Sequence, residues 1–234
     1  MRVLMLNYEY PPLGGGAGNA TQELLRVLAR EPGLTVDLVT SAIGAARVER
    51  PSEQTTLYFE DIGKRGGLHY QSNLDLIRYS MAAWRRCKAL MGLNTYDVVH
   101  AFFGIPCGVL VNRIGLPYIV SLRGSDVPFY NPRFRQLDRW VFRHLSRRVW
   151  RGSCRTVANS AGLRTLALTS SPRQLIEVIP NGVDTDRYHP GGLHNGQNGP
   201  LRLLSVGRLI PRKGFHLLLR AMSAQPGLSP HRDW

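Results

Sequence analysis

The sequence is poor in cysteine and in negative charge, and it has no long hydrophobic run. Cys87, Cys107 and Cys154 lie far apart without a C-x-x-C pair, which argues against a disulfide framework or a zinc module and points to a reducing, cytoplasmic compartment. The longest apolar stretch, residues 101–111, is interrupted by Pro106 and closed by Asn112 and Arg113, too short for a membrane-spanning helix. The opening "MRVLMLNYEYPP" has none of the segments of a cleavable secretory signal. Only 16 acidic residues oppose 30 basic ones, a net charge of +14 over 234 residues. Such an excess favours nucleic acid, an anionic membrane surface or phosphorylated small molecules as partners. Zinc-finger spacing, RNA-recognition aromatic motifs and a helix-turn-helix pattern are all missing, so charge alone speaks for nucleic acid, and that partner is not expected.

What is present is an alternation. Apolar, β-branched runs at residues 2–7, 34–40, 96–103, 117–122, 154–160 and 176–180 are separated by segments of helical period, such as "NATQELLRVLARE" with Leu24, Leu25 and Leu28. Continuous apolar strands alternating with helices predict an α/β fold, a doubly wound parallel sheet covered on both faces. That domain is expected over residues 1–180. A polar, Gly/Pro-rich linker follows over 181–200, and a second domain opens at 201–234 with "LRLLSVGRLIPRKGFHLLLRAMS". One strand and one helix cannot bury both faces of a sheet, so this second domain is expected to be incomplete.

The first strand leads into "NYEYPPLGGGAGNA", residues 7–20. Glycines between a parallel strand and a helix let backbone N–H groups approach an anion or a sugar, and the helix dipole adds to this. The dinucleotide fingerprint fails because Asn19 stands where its third glycine belongs and no acid ends the second strand. The phosphate-binding lysine of a P-loop is missing too. A nucleotide-dependent oxidoreductase is therefore disfavoured, and a plain tight turn remains the structural alternative.

Six segments taken in order, "YPPLGGGAGNATQELLRVLA", "YDVVHAFFG", "SLRGSDV", "VANS", "IPNGVDTDRYHP" and "SVGRLIPRKGFHLLLRAM", resemble the retaining glycosyltransferases of family four. The resemblance runs from residue 2 to about residue 223 and implies a GT-B fold, two facing Rossmann-like domains of which the second is truncated here. It implies a nucleotide diphosphate sugar as donor substrate, no cofactor, no metal, and a saccharide or lipid-linked acceptor held against the N-terminal domain. By resemblance Arg208 and Lys213 neutralise the donor diphosphate, and Gly15 and Gly16 lie near donor phosphate and acceptor. Fixed cations suit a leaving diphosphate because negative charge develops there. The family's "HG-x-D" maps onto Arg123 to Asp126, the catalytic candidates being Arg123 and Asp126, with arginine in place of histidine. Arginine cannot accept a hydrogen bond, but its fork of donors can hold a hydroxyl or a phosphate. A later carboxylate-bearing segment of the family has no counterpart before Trp234, so the chain alone is expected to be inactive.

Asn181, Gly182 and Asp184 belong to the "PNGVD" signature and are expected to shape a turn. "DTD" at 184–186 resembles a metal-binding pair of acids, but its linker position argues against that use. "HRD" at 231–233 lacks the other parts of a kinase site and is taken as chance. His69, His100, His144 and His216 are isolated and read as packed or surface residues. In "RFRQLDRWVFRHLSRRVWRG" the spacing predicts one helix burying Phe134, Leu137, Val141, Leu145 and Val149, with Arg135, Arg139, Arg143 and Arg147 on another stripe. That stripe, helped by Trp140 and Trp150, is a candidate for peripheral attachment to the inner face of a membrane. The alternative to an enzyme is a basic binding module without catalysis.

Overall fold

The computed structural model describes residues 1–190, 203–207 and 209–224. The chain divides into two compact units, Met1–Val183 and Asp184–Trp234.

The first unit is built on an eight-stranded sheet. Its strands are β1 (Arg2–Leu6), β2 (Thr35–Ala42), β3 (Arg47–Ser52), β4 (Thr55–Asp61), β5 (Val98–Phe102), β6 (Tyr118–Leu122), β7 (Arg155–Ala158) and β8 (Glu177–Val178). They lie in the order β3-β4-β2-β1-β5-β6-β7-β8. All neighbours are parallel except β3 with β4. The central strands read as unbroken apolar runs because both faces are covered: Leu4, Met5 and Leu6 are fully buried, as are Leu38, Val39, Val99, Val120 and Leu122.

The helices are α1 (Gly16–Leu28), α2 (Asn73–Leu93), α3 (Val109–Val111), α4 (Arg135–Leu137), α5 (Arg143–Gly152), α6 (Ala161–Ser170) and α7 (Phe215–Ser223). Helix α2 opens on a capping box in which Ser72 and Asp75 satisfy each other's backbone N–H. None of the described helices is long and apolar enough to cross a membrane.

Two features of the first unit depart from the sequence reading. The β3–β4 hairpin was not expected, because "RVERPS" is exposed, charged and carries Pro51, the composition of a protected sheet edge rather than of a core strand. The helix expected over residues 133–152 is broken. A 3-10 turn at Pro132–Phe134 and α4 run into a wide π turn at Asp138–Phe142 before α5 begins. The wide turn inserts an extra residue per turn and rotates the buried stripe. Asp138, Ser146, Val149 and Trp150 therefore face inward, while Leu137 and Val141 are 43% and 41% exposed. Trp150 is fully buried and gives nothing to a surface, whereas Trp140 is 72% exposed.

In the second unit, α7 follows a 3-10 turn at Pro211–Lys213, with Gly214 in the left-handed region at φ +73°. Residues 203–206 form no strand, and Leu204 and Val206 stay exposed, since no described strand is there to pair with them. Arg208, most of the expected linker and the "HRD" triplet lie outside the described residues.

Candidate functional site

Beyond β1 the chain turns outward through β2 and β4, and it later returns to place β5 on the other side of β1. The strand order reverses between β1 and β5, and the crevice outside the carboxyl ends of such a pair is where open α/β sheets bind ligands. Residues 7–15, 103–104 and 123–126 follow β1, β5 and β6 on that edge.

Asn7 anchors the glycine loop. It is fully buried, donates through Nδ2 to Thr21 Oγ1 on α1 at 2.7 Å, and accepts from the Glu9 N–H at 2.9 Å. Gly14 is held at φ +99°, and a Cβ there would sit 2.6 Å from Glu9 Cβ, so no other residue fits without displacement. Gly15 and Gly16 differ: an added Cβ would meet nothing within 4 Å at either position. These two glycines leave open backbone at the start of α1. The Gly15 N–H donates to Glu9 Oε2 at 3.2 Å, so a carboxylate of the chain itself already occupies one donor at this helix end. A sugar hydroxyl in that place can bond both to a carboxylate and to an amide.

Beside the loop, Tyr8 stacks on Phe103 with ring centroids 4.5 Å apart. Phe103 has φ +73°, a conformation rare for a bulky side chain, and it turns the chain sharply at the end of β5. The next N–H, that of Gly104, donates to Asp126 Oδ2 at 2.7 Å. Asp126 Oδ1 accepts from the N–H groups of Arg123 and Gly124, at 3.0 and 2.9 Å. Both oxygens of this buried carboxylate are thus filled by backbone amides, and Asp126 ties the ends of β5 and β6 together. Burial pushes its pKa up, and the three amides pull in the opposite direction. A side chain at Gly104 would crowd Trp150 Nε1 at 3.3 Å, which explains the glycine where the strand ends meet.

Arg123 projects from this brace. Its guanidinium carbon lies 4.2 Å from the Phe102 ring centroid, and Nη1 donates to Asn181 Oδ1 at 2.6 Å. Its Nε is buried without a partner among the described residues. Burial lowers the Arg123 pKa to about 10, with Asp126 acting against the shift, so the group stays charged at neutral pH. His100 lies on β5 with Nε2 2.8 Å from Ser121 Oγ. Burial, reinforced by the Arg123 cation, pushes its pKa down to about 3. His100 is consequently a neutral packed residue.

Arg123 and Gly124 wall a concavity of about 450 Å³ with Tyr130, Asn159, Ser160 and Leu163, between the ends of β6 and β7. Ser160 caps α6 by accepting from the Leu163 N–H at 3.2 Å. Gly124, at φ +130°, is the position where Tyr130 approaches, 3.0 Å from a would-be Cβ.

The structure brings Arg123, Asp126 and Asn181 into one hydrogen-bonded group and puts Gly15 and Gly16 on the same sheet edge. Lys213 is exposed in the second unit. Sequence reasoning missed Glu9, Phe102 and Phe103. Glu9 could have been found as the one acid within residues 7–20, next to glycines whose amides need acceptors; the aromatic roles had no sequence signal.

Comparison with known proteins agrees with this architecture. The chain is 27% identical over an alignment of 246 positions to a glycogen synthase of Mycobacterium tuberculosis, covering 95% of this chain and 58% of that protein. It is 23% identical to an uncharacterized glycosyltransferase of Methanocaldococcus jannaschii, covering 95% of this chain and 56% of that protein. The chain therefore spans a little over half the length of these relatives. Among solved structures, sucrose-phosphate synthase from Thermosynechococcus elongatus superposes with a TM-score of 0.74 at 18% identity, over 99% of this chain and 64% of that one, a likeness of fold. The model describing Glycosyltransferase Family 4 matches residues 14–187, from the glycine loop past Asn181, and the chain belongs to that family.

Proposed function

We propose that this chain is part of an enzyme that transfers a hexose unit from a nucleotide diphosphate sugar to a saccharide or lipid-linked acceptor with retention of configuration, that the first unit supplies the acceptor side, and that the chain alone binds saccharide without turning it over. The observation that carries this reading is Arg123: a charged guanidinium held by Phe102 and Asn181 at the wall of a 450 Å³ concavity, with a buried, unpartnered Nε. A buried guanidinium N–H without an acceptor costs stability unless a ligand completes its bonds. Sugar hydroxyls or a phosphate oxygen supply the acceptor it lacks.

In this reading Arg123 touches substrate and Asp126 is a positioning residue, since its oxygens are already taken by amides. The open backbone at Gly15 and Gly16, with Glu9 beside it, suits sugar hydroxyls. The diphosphate falls to Arg208 and Lys213, as family membership suggests. The relative named glycogen synthase supports a glucose oligosaccharide as the first acceptor to try.

The test is calorimetric titration of the full chain with a glucose oligosaccharide, a panel of nucleotide diphosphate sugars and NAD. Saturable oligosaccharide binding, weakened about tenfold by Arg123→Gln, is expected from the loss of a charge-assisted bond. Binding of NAD without any saccharide binding would contradict the proposal.

A further inference from the structure

Residues 129–170 contain nine arginines and a single acid, Asp138. Three of these arginines, Arg135, Arg139 and Arg143, wall a second concavity of about 520 Å³ together with Phe129, Pro132 and Thr169. It shares no lining residue with the concavity at Arg123. None of the three guanidinium groups has an ion pair among the described residues, and Arg143 Nε is buried with no hydrogen-bond acceptor. Like charges four apart on a helix repel, so this row weakens its own segment when the concavity is empty.

The one carboxylate of that segment is not used to neutralise them. Asp138 is buried, and its Oδ2 accepts from the Phe129 N–H at 2.9 Å. Phe129 sits at φ +69°, a backbone conformation that costs about 1–3 kcal/mol for a non-glycine residue. The acid is thus spent on pinning the aromatic wall, and the arginines are left for something else. Arg147, the next in the row, donates from Nε to the Ser170 carbonyl, which fixes the far end of the segment against α6. Burial and repulsion from Arg143 and Arg151 lower the Arg147 pKa, consistent with a local excess of positive charge.

We propose that the concavity walled by Arg135, Arg139 and Arg143 binds a phosphate monoester or diester. Phosphate matches the forked donors of guanidinium groups, and three of them wall this concavity. The phosphate can come from a soluble ester or from an anionic lipid headgroup, and the two sources separate experimentally.

The full chain is titrated calorimetrically with inorganic phosphate and glycerol 3-phosphate, and floated with vesicles of phosphatidylcholine alone or mixed with phosphatidylglycerol. The variant pair Arg139→Gln/Arg143→Gln is compared with Arg30→Gln/Arg113→Gln, exposed residues elsewhere whose loss changes net charge equally. Loss of charge-assisted bonds should weaken binding about tenfold in the first pair and less than about twofold in the second. Saturable binding of the soluble esters supports the site with a soluble ligand. Binding only to the phosphatidylglycerol vesicles supports it with a headgroup. Arg139→Lys/Arg143→Lys keeps the charge and guards against misfolding; it should bind severalfold more weakly, because an ammonium lacks the fork. Absence of binding in every arm, equal losses in both glutamine pairs, or unchanged binding by the lysine pair would each overturn the proposal.

Discussion

Arg123 donates to Asn181 across 58 residues of sequence, at 2.6 Å, and this bond connects the end of β6 to the segment after β8. Asn181 is exposed, so its side chain adds little packing, and its main effect is to aim the guanidinium. Asn181→Ala should leave the melting temperature nearly unchanged and weaken oligosaccharide binding severalfold. Differential scanning fluorimetry and calorimetric titration on the same preparation check both halves.

Asp126 is expected to behave in the opposite way. Asp126→Ala strips the acceptor from three backbone amides, two of them on buried glycines, and should destabilise the unit by about 3 kcal/mol. Asp126→Asn keeps one carbonyl oxygen and should lose less. Urea denaturation of both variants measures the difference, and equal, negligible losses would contradict the bracing role.

The glycine loop offers a contrast within three residues. Gly14→Ala puts a Cβ into Glu9 at a positive φ and should cost about 1–3 kcal/mol. Gly15→Ala meets open space and should be nearly neutral for folding. If the open backbone serves a substrate, Gly15→Ala will nonetheless reduce saccharide binding. Chemical denaturation together with titration separates the two glycines.

How legible these features were depended on whether they are local. The β-α alternation, the central strands and the glycine loop could be read because each strand carries its own apolar run. The switch from helix to π turn at Asp138–Phe142 could not, since the periodicity of Leu137, Val141 and Leu145 fits a regular helix and only packing reveals the rotation. At the site, motif order singled out Arg123 and Asp126, but not that the carboxylate is filled by backbone amides while the guanidinium walls a concavity. That difference arises from where three amides point, which no spacing encodes. Glu9 shows the same limit: an acid beside glycines is visible in the sequence, yet its bond to the Gly15 N–H depends on the turn through Pro11 and Pro12.

His100 gives a pH prediction. Its folded pKa of about 3 lies below the ordinary value near 6.5, so the unfolded chain takes up the proton first as the pH falls. The contribution is fully present above about pH 6.5 and is lost progressively towards pH 3, at a slope approaching about 1.4 kcal/mol per pH unit. His100→Gln should flatten this part of the stability profile. Urea midpoints of the two proteins between pH 7 and pH 4 provide the check, and parallel profiles would contradict it.

The central claim is that the carboxyl edge of β1, β5 and β6 holds a sugar through Arg123 and the open glycine backbone. The most direct measurement follows the Arg123 Nε–H and the Gly15, Gly16 and Gly124 amide signals by NMR while a glucose oligosaccharide is added to the full chain. The account predicts saturable shifts at all four positions with a common dissociation constant. Saturable binding that leaves all four signals unmoved would contradict it.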